Sequence, residues 1–444
     1  MTGRQTKIPL KTGVINMLDI KLIRENPEEV AARLLKRNFE VDFTELLSWD
    51  GERRELRIKM DQMKNERNVS AKKVPVMKKN GEDVTEELAR MKKLSDEITE
   101  IEKTINELEE KIQYFMDRLP NLPAEGVVAG GKENNVVDHT WGKKPEFDFK
   151  PKNHVELCKS LGLVDYERGV KLAGQGSWIY TGRGAQLEWA LLNFFIREHI
   201  KDGYTFILPP YMLGYQCGYV AGQFPKYVEE DYWVDAGPSK DGHFLLPTAE
   251  TALVNIHRDE TLTEDQLPIK YFAYTPCFRR EAGSTRIEER GMVRGHQFNK
   301  VEMVHYAAPD KSEESFAELC GKAESLVQKL GLHYQMSKLA ADDCAYSMGK
   351  TCDIEVWIPS MGIYKEVSSA SNGYDYQARR GNVRFKSAQG KNGYVHTLNA
   401  SGLATSRVIP AILEQYQQAD GSVIVPEVLR ADMGMDVIEP LKKQ

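Results

Sequence analysis

Three stretches of the chain concentrate side chains that are costly to bury and useful in a cleft. The first is Phe278-Arg279-Arg280-Glu281-Ala282-Gly283-Ser284, followed closely by Arg294-Gly295-His296-Gln297-Phe298-Asn299-Lys300-Val301-Glu302. Two β-like ends flank a charged loop containing glycine. Strand alternation predicts Arg294, His296, Phe298, Lys300 and Glu302 on one face. Cation, ring and carboxylate on one face make a poor core, because charges are almost never buried without a partner. The same set suits a phosphorylated aromatic ligand: Arg for phosphate oxygens, Phe to stack on a base, Glu to receive an amine. A solvated, salt-bridged strand is the plain alternative.

The second stretch is Gly402-Leu403-Ala404-Thr405-Ser406-Arg407, which continues as an amphipathic helix through residues 408–416. An Arg in the first turn of a helix opposes the helix dipole and hints at an anionic partner, although a surface role is the commoner one. The third is Pro247-Thr248-Ala249-Glu250, with Asp353-Ile354-Glu355 and Lys365-Glu366-Val367-Ser368-Ser369. Carboxylates and hydroxyls suit a small amino compound or Mg²⁺, an oxygen-seeking ion. Exposed strand carboxylates explain each fragment equally well when it is taken alone.

Composition narrows the setting. Sixty Lys+Arg against 66 Asp+Glu leave a net charge of −6, so any polyanion must be held by a local basic surface. With 41% hydrophobic and 28% charged residues over 444 positions, the chain has ample material for two or three folded domains. No apolar run approaches the roughly 20 residues a membrane helix needs. Six scattered cysteines without a C-x-x-C pair predict reduced thiols in a cytosolic setting and no structural zinc. Neither G-x-G-x-x-G after a strand nor a P-loop signature is present. The first sixteen residues lack the apolar segment of a secretory signal and read as a disordered extension.

The elements that must position these residues fall into two parts. In the first, Leu88, Met91, Leu94, Ile98, Ile101, Ile105, Leu108, Ile112, Phe115 and Leu119 are spaced three or four apart. That near-heptad seam is the pattern of a helix lying along a partner. Leu56, Met60, Met63, Arg67, Ser70 and Val74 supply the facing helix, with Pro75 and Asn80-Gly81 expected at the turn. Residues 53–79 carry ten bases and three acids, whereas residues 96–117 carry two bases and eight acids. The two faces could simply attract each other, or the basic one could present cations to a phosphate backbone. After Pro123 the seam vanishes. Helical stretches around 185–199 and 313–330 then separate β-like runs at 204–208, 270–275, 301–304 and 352–358, several joined by turns, which favours antiparallel pairing.

Taken together, the arm and the three stretches resemble the seryl-tRNA synthetases, a family of class II aminoacyl-tRNA synthetases. Met17-Leu18-Asp19-Ile20-Lys21 resembles the family's usual opening, and Pro209-Pro210 after Phe206 resembles motif 1, the dimer-forming segment. Motif 2 corresponds to residues 278–302, and motif 3 to residues 402–407 with Val425-Pro426-Glu427-Val428-Leu429-Arg430. Gly222-Gln223-Phe224-Pro225-Lys226, Thr248-Ala249-Glu250, Ser371-Asn372 and Asp375-Tyr376-Gln377-Ala378-Arg379-Arg380 match segments particular to the serine enzymes. The chain departs from the usual pattern at Val220-Ala221, at Thr251-Ala252, and at Gly295, where a larger residue is common.

The resemblance implies an α+β protein: an N-terminal antiparallel two-helix coiled-coil arm, then a class II catalytic domain on an antiparallel sheet flanked by helices. Its divisions would be an extension at 1–16, a tRNA-binding arm at 17–125 and an aminoacylation domain at 126–444. It implies that serine is activated by ATP to seryl-adenylate and transferred to tRNA-Ser by a cytoplasmic homodimer using Mg²⁺. By position, Arg279 would bridge the serine carboxylate and the α-phosphate, while Arg294 and Arg407 hold the outer phosphates. Phe298 would stack on adenine, Glu281 contact it, and Glu366 and Ser369 bind Mg²⁺. Thr248, Glu250, Glu302, Asn399 and Ser401 would surround serine. Two other readings are a paralogue that loads a different acceptor or serves as an inhibitor-resistant duplicate, and a catalytically dead RNA-binding relative.

Overall fold

The computed structural model describes residues 18–235, 237–280 and 291–442. The expected extension at 1–16 and Glu281 lie outside the described residues. Two compact units emerge: one of Leu18–Leu34 and Phe39–Leu119, the other comprising residues 35–38 and the chain from Pro120 onward.

The first unit is dominated by helix α1 (Thr44–Lys79) and helix α2 (Thr85–Met116). Ion pairs Arg57–Glu109 and Lys64–Glu102 advance along one helix while receding along the other, so the pair is antiparallel. At 1.5 Å per residue, α1 is roughly 54 Å long. The predicted seam is the contact: Ile98, Ile101 and Ile105 pack with Met63, flanked by Leu56, Met60 and Leu94. Leu88, near the turn, is instead exposed. Asp83 accepts from the backbone and hydroxyl of Thr85 and tethers the start of α2.

Pro75 does not form the turn as expected; α1 runs through it to Lys79. The ring removes one donor to the preceding turn, but Pro75 is exposed, so water can satisfy the freed carbonyl. The chain reverses at Asn80-Gly81, where Gly81 takes φ +78° and the Glu82 amide closes on the Met77 carbonyl.

The second unit is built on an eight-stranded sheet. In chain order its strands are β1 (Val136–Trp141), β2 (Thr205–Ile207), β3 (Ile269–Phe278), β4 (Gln297–Ala307), β5 (Tyr334–Lys338), β6 (Lys350–Ile358), β7 (Ile363–Asn372) and β8 (His396–Ala404). Across the sheet they lie in the order β1-β5-β6-β7-β8-β4-β3-β2. Every neighbouring pair is antiparallel except β2–β3, which is parallel. Three helices pack on it: α3 (Arg183–Lys201), α4 (Ser312–Lys329) and α5 (Thr405–Gln415). Leu191 and Phe195 of α3, Leu319 and Val327 of α4, and Ile412 of α5 share one core with Met303, Ile354 and Leu398 from the strands. The α+β architecture expected from the sequence is therefore the one observed. A buried carboxylate ties these layers together: Glu188 of α3 accepts from Asn299 of β4 at 2.8 Å and from Thr405 of α5 at 2.6 Å.

Candidate active site

The central strands carry the chemistry because two irregularities re-aim their side chains. In β7, Ile354 pairs with Ser368 but Glu355 pairs with Glu366, so one extra residue is inserted at Val367. Glu366 and Ser369 stand three apart and would face opposite ways on a regular strand; the bulge restores both to one side, where they line the same cavity. In β8, Lys300 pairs with Ala404 and Glu302 with Ser401, a second inserted residue that brings Ser401 and Ala404 to one cavity wall. On β4 the predicted alternation holds for Phe298, Lys300 and Glu302, which all line the cleft. His296 leaves the stripe and instead bonds the Tyr232 hydroxyl at 2.7 Å.

One cavity of about 360 Å³ gathers Thr248, Glu250, Arg279, Glu302, Glu366, Ser369, Asn399 and Ser401. Glu250 begins a short helix (Glu250–Leu253), and Gln377 donates to its carboxylate at 2.7 Å. Burial, then the neighbouring Glu302 carboxylate, raises the Glu250 carboxyl to about 7 against the opposing pull of Gln377, Lys300 and Arg279. A second cavity of about 150 Å³ is lined by Arg279, Arg294, Phe298, Glu366 and Arg407. Arg279, Lys300, Glu366 and Ser401 line both, so the two cavities meet at these side chains.

Arg279 follows β3 directly; its Nε donates to the Pro247 carbonyl and its guanidinium lies 5.3 Å over the Phe298 ring. Arg407 donates to the Glu366 backbone carbonyl at 3.0 Å and pairs with the Glu366 carboxylate at 3.2 Å. Burial alone would raise the Glu366 carboxyl, but Arg407 and then Arg279 outweigh it and hold it below the usual range. Its side chain is still 41% exposed, open to the cleft. Each expected site residue apart from Glu281, which is not described, thus lines one or both cavities.

Residues the sequence reading did not assign complete the walls. Lys300 is buried among them, and Gln377 bridges the Glu250 carboxylate to the Ala221 carbonyl. Among the departures, Thr251 donates to Gln223 at 3.1 Å. Gly295 is explained by Trp178: a Cβ at residue 295 would sit 2.1 Å from the indole and 2.9 Å from the Gly176 carbonyl oxygen. The indole occupies the space a larger residue would need.

Comparison with known proteins shows the family. The profile described as "Seryl-tRNA synthetase N-terminal domain" matches residues 17–123, and "tRNA synthetase class II core domain (G, H, P, S and T)" matches residues 232–416. The chain is 58% identical over 423 residues to a "Serine--tRNA ligase 2" of Clostridium acetobutylicum, covering 95% of this chain and 100% of that one. The chain belongs to the seryl-tRNA synthetase family. A serine–tRNA ligase of Thermodesulfovibrio yellowstonii is 46% identical, again with 95% and 100% coverage. The crystal structure of seryl-tRNA synthetase from Pyrococcus horikoshii complexed with ATP superposes with a TM-score of 0.89 at 36% identity, covering 96% of this chain and 100% of that one. As a seryl-tRNA synthetase, the enzyme activates serine with ATP and charges tRNA. The full-length match to serine–tRNA ligases favours this over a paralogue with another acceptor or a dead relative.

Proposed function

We propose that the larger cavity takes serine, that ATP lies across the smaller one and the adjoining cleft lined by Arg294, Asp353, Glu366, Ser369 and Arg407, and that bond formation occurs where the serine and ATP sites meet. The observation that carries this reading is the position of Arg279 in the wall common to both. The serine carboxylate oxygen attacks the α-phosphorus, the bond to the bridging oxygen breaks, and pyrophosphate leaves. Two anions must approach, so Arg279 neutralises both and holds them in line. Arg294 and Arg407 take the outer phosphates, and Phe298 stacks beneath adenine with Arg279 on its other side. Glu250 and Glu302 face the amine or hydroxyl of serine, with Thr248, Asn399 and Ser401 closing the pocket. No side-chain nucleophile is required. The terminal hydroxyl of tRNA then attacks the seryl carbonyl carbon and loses its proton, the bond from that carbon to the phosphate oxygen breaks, and AMP leaves. Serine-dependent ATP–pyrophosphate exchange followed by charging of purified tRNA tests the scheme; exchange with no preference for serine would refute it.

The donor set fits Mg²⁺. Glu366 is held anionic, Ser369 adds a hydroxyl, and Asp353 on the adjoining strand has a buried Oδ1 with no hydrogen-bond partner among the described residues. No group of three or more His, Cys, Asp and Glu among the described residues is disposed to hold a metal alone. Glu366 and Ser369 would therefore hold Mg²⁺ together with nucleotide phosphates, the usual mode for this ion. The ion would supply charge neutralisation on the phosphates.

The raised Glu250 carboxyl gives a signed pH dependence. Below about 7 it is neutral and cannot pair with the serine ammonium; above, it is ionised. The KM for serine should fall severalfold between pH 6 and 8 while the KM for ATP changes little, and Glu250→Gln should flatten the profile. Steady-state exchange kinetics across this range measure both.

We further propose a division into an extension at 1–16, a tRNA-Ser-binding arm at 17–125 and a catalytic domain at 126–444, acting as a cytoplasmic homodimer. No described helix is long and apolar enough to cross a membrane. Dimerisation through residues 203–213 is supported by exposed apolar side chains there: Leu208 is 68% and Met212 50% exposed, with Trp189 of α3 at 53%. Light scattering should give a mass near twice 50.5 kDa, falling towards a single chain in a Leu208→Asp, Met212→Asp variant. A monomer in the unsubstituted protein would refute this.

A further inference from the structure

Lys300 lies on β4 with only 6% of its surface exposed, a rare situation for an ammonium. Its Nζ donates to the Thr248 hydroxyl at 2.8 Å and pairs with Oε2 of Glu302. Both partners are residues the proposed function places around serine. The geometry at each partner is specific. Thr248 Oγ1 also accepts from the Glu250 backbone N–H at 3.3 Å, so both of its lone pairs are engaged and only its O–H remains to be given. Oε2 of Glu302 also receives the Ser401 hydroxyl at 3.5 Å, which leaves Oε1 without a partner among the described residues, in the cavity that Glu302 lines.

We propose that Lys300 is the positioning residue that sets the polarity of the serine pocket, fixing Thr248 as a donor and Glu302 as an acceptor. This rests on the assignment of the larger cavity to serine. A hydroxyl both gives and receives one bond, and a pocket offering one fixed donor and one fixed acceptor matches it. A methyl group in its place would leave both pocket groups without partners, and this is where selectivity against an apolar analogue arises. Replacing Lys300 by a neutral side chain frees Thr248 to reorient and leaves two carboxylates, Glu250 and Glu302, near each other with Arg279 as the remaining nearby cation among the described residues. Gln377 bonds Glu250 from the other side and carries no charge.

The test is serine-dependent ATP–pyrophosphate exchange with the full-length enzyme from pH 6 to 9, comparing the unsubstituted chain with Lys300→Met, Lys300→Gln and Lys300→Arg. In Lys300→Met the serine KM should rise at least tenfold; Lys300 also lines the smaller cavity, so the ATP KM should rise as well, but by a clearly smaller factor. The pH midpoint of the serine KM should move upward, because a cation that favours the ionised Glu250 carboxylate is gone. Lys300→Gln can still donate to Thr248 and carries the same expectation if the Met variant does not fold. Lys300→Arg keeps the charge and should keep the midpoint. An unshifted midpoint in the neutral variants, equal rises in both KM values, or a shift as large in Lys300→Arg would overturn the proposal. A serine KM left unchanged by Asn399→Ala, a wall residue away from Lys300, would instead defeat the assignment of the cavity to serine, so the two failures are distinguishable.

Discussion

Arg279→Ala should lower serine-dependent pyrophosphate exchange by about 10³-fold or more in a protein that remains folded. A single preorganised donor aimed at developing charge is worth about 10²–10³ in rate. Arg279 serves two anions at once, since it lines both cavities at their junction. Among the described residues its side-chain anchoring is modest: one bond to the Pro247 carbonyl and contact with the Phe298 ring. The fork is thus largely available to ligands, and its removal leaves Glu366 paired with Arg407 and Glu250 bonded to Gln377, so the loss should fall on kcat more than on stability. Arg279→Lys should recover little, because a point charge cannot bond two oxyanions in the fixed geometry of a guanidinium. Exchange kinetics with a thermal melt alongside decide it. Near-normal exchange in Arg279→Ala would remove the residue from the reaction and with it the location of bond formation.

Neutralising Lys72, Lys73, Lys78 and Lys79 together should leave pyrophosphate exchange intact while weakening tRNA charging at least tenfold. The sequence alone left the basic face of α1 open to two uses, and the structure divides it. Arg57 and Lys64 are spent on Glu109 and Glu102 of α2. The four lysines towards the turn are exposed and make no ion pair among the described residues. Up to four phosphate contacts would be lost, so the slope of log affinity against log salt should drop by up to about 3.6. Replacing Arg57 and Lys64 instead should cost only about 1 kcal/mol in total, since exposed pairs contribute little. Charging by the quadruple variant that matches the unsubstituted enzyme at every salt concentration would assign this face to the helix pair alone.

How much of this was legible beforehand depended on the range of the physics involved. The seam of α2 could be read because its period is local, and Ile98, Ile101 and Ile105 are buried as the spacing requires. The strand stripe Phe298-Lys300-Glu302 was legible for the same reason. Arg407 and Thr248 were each singled out by local chemistry, but their membership of one site came from resemblance, because nothing local links a helix start to a loop more than 150 residues earlier. The role of Lys300 escaped the sequence reading since its partners are supplied by the fold: Thr248 is distant in the chain, and the proximity of Glu302 says nothing about which oxygen it offers. Pro75 was misjudged because its cost depends on exposure, which a sequence does not state. Gln377 was visible only as part of a longer match, since an amide reveals its partner only when Glu250 arrives beside it.

The extra residue at Val367 sets a rule for how this region can change over generations. Glu366 and Ser369 share a cavity only because one position between them is uncounted in the pleat. Losing a single codon between them would shorten the spacing to two, which a regular strand tolerates, and the pair could survive by dissolving the bulge. Gaining one would give a spacing of four, which keeps the pair on one face only if the bulge dissolves and the rest of the strand slips by two residues against its neighbour. Insertions here should thus be purged more strictly than deletions, an asymmetry that deep mutational libraries covering 366–369 can count directly.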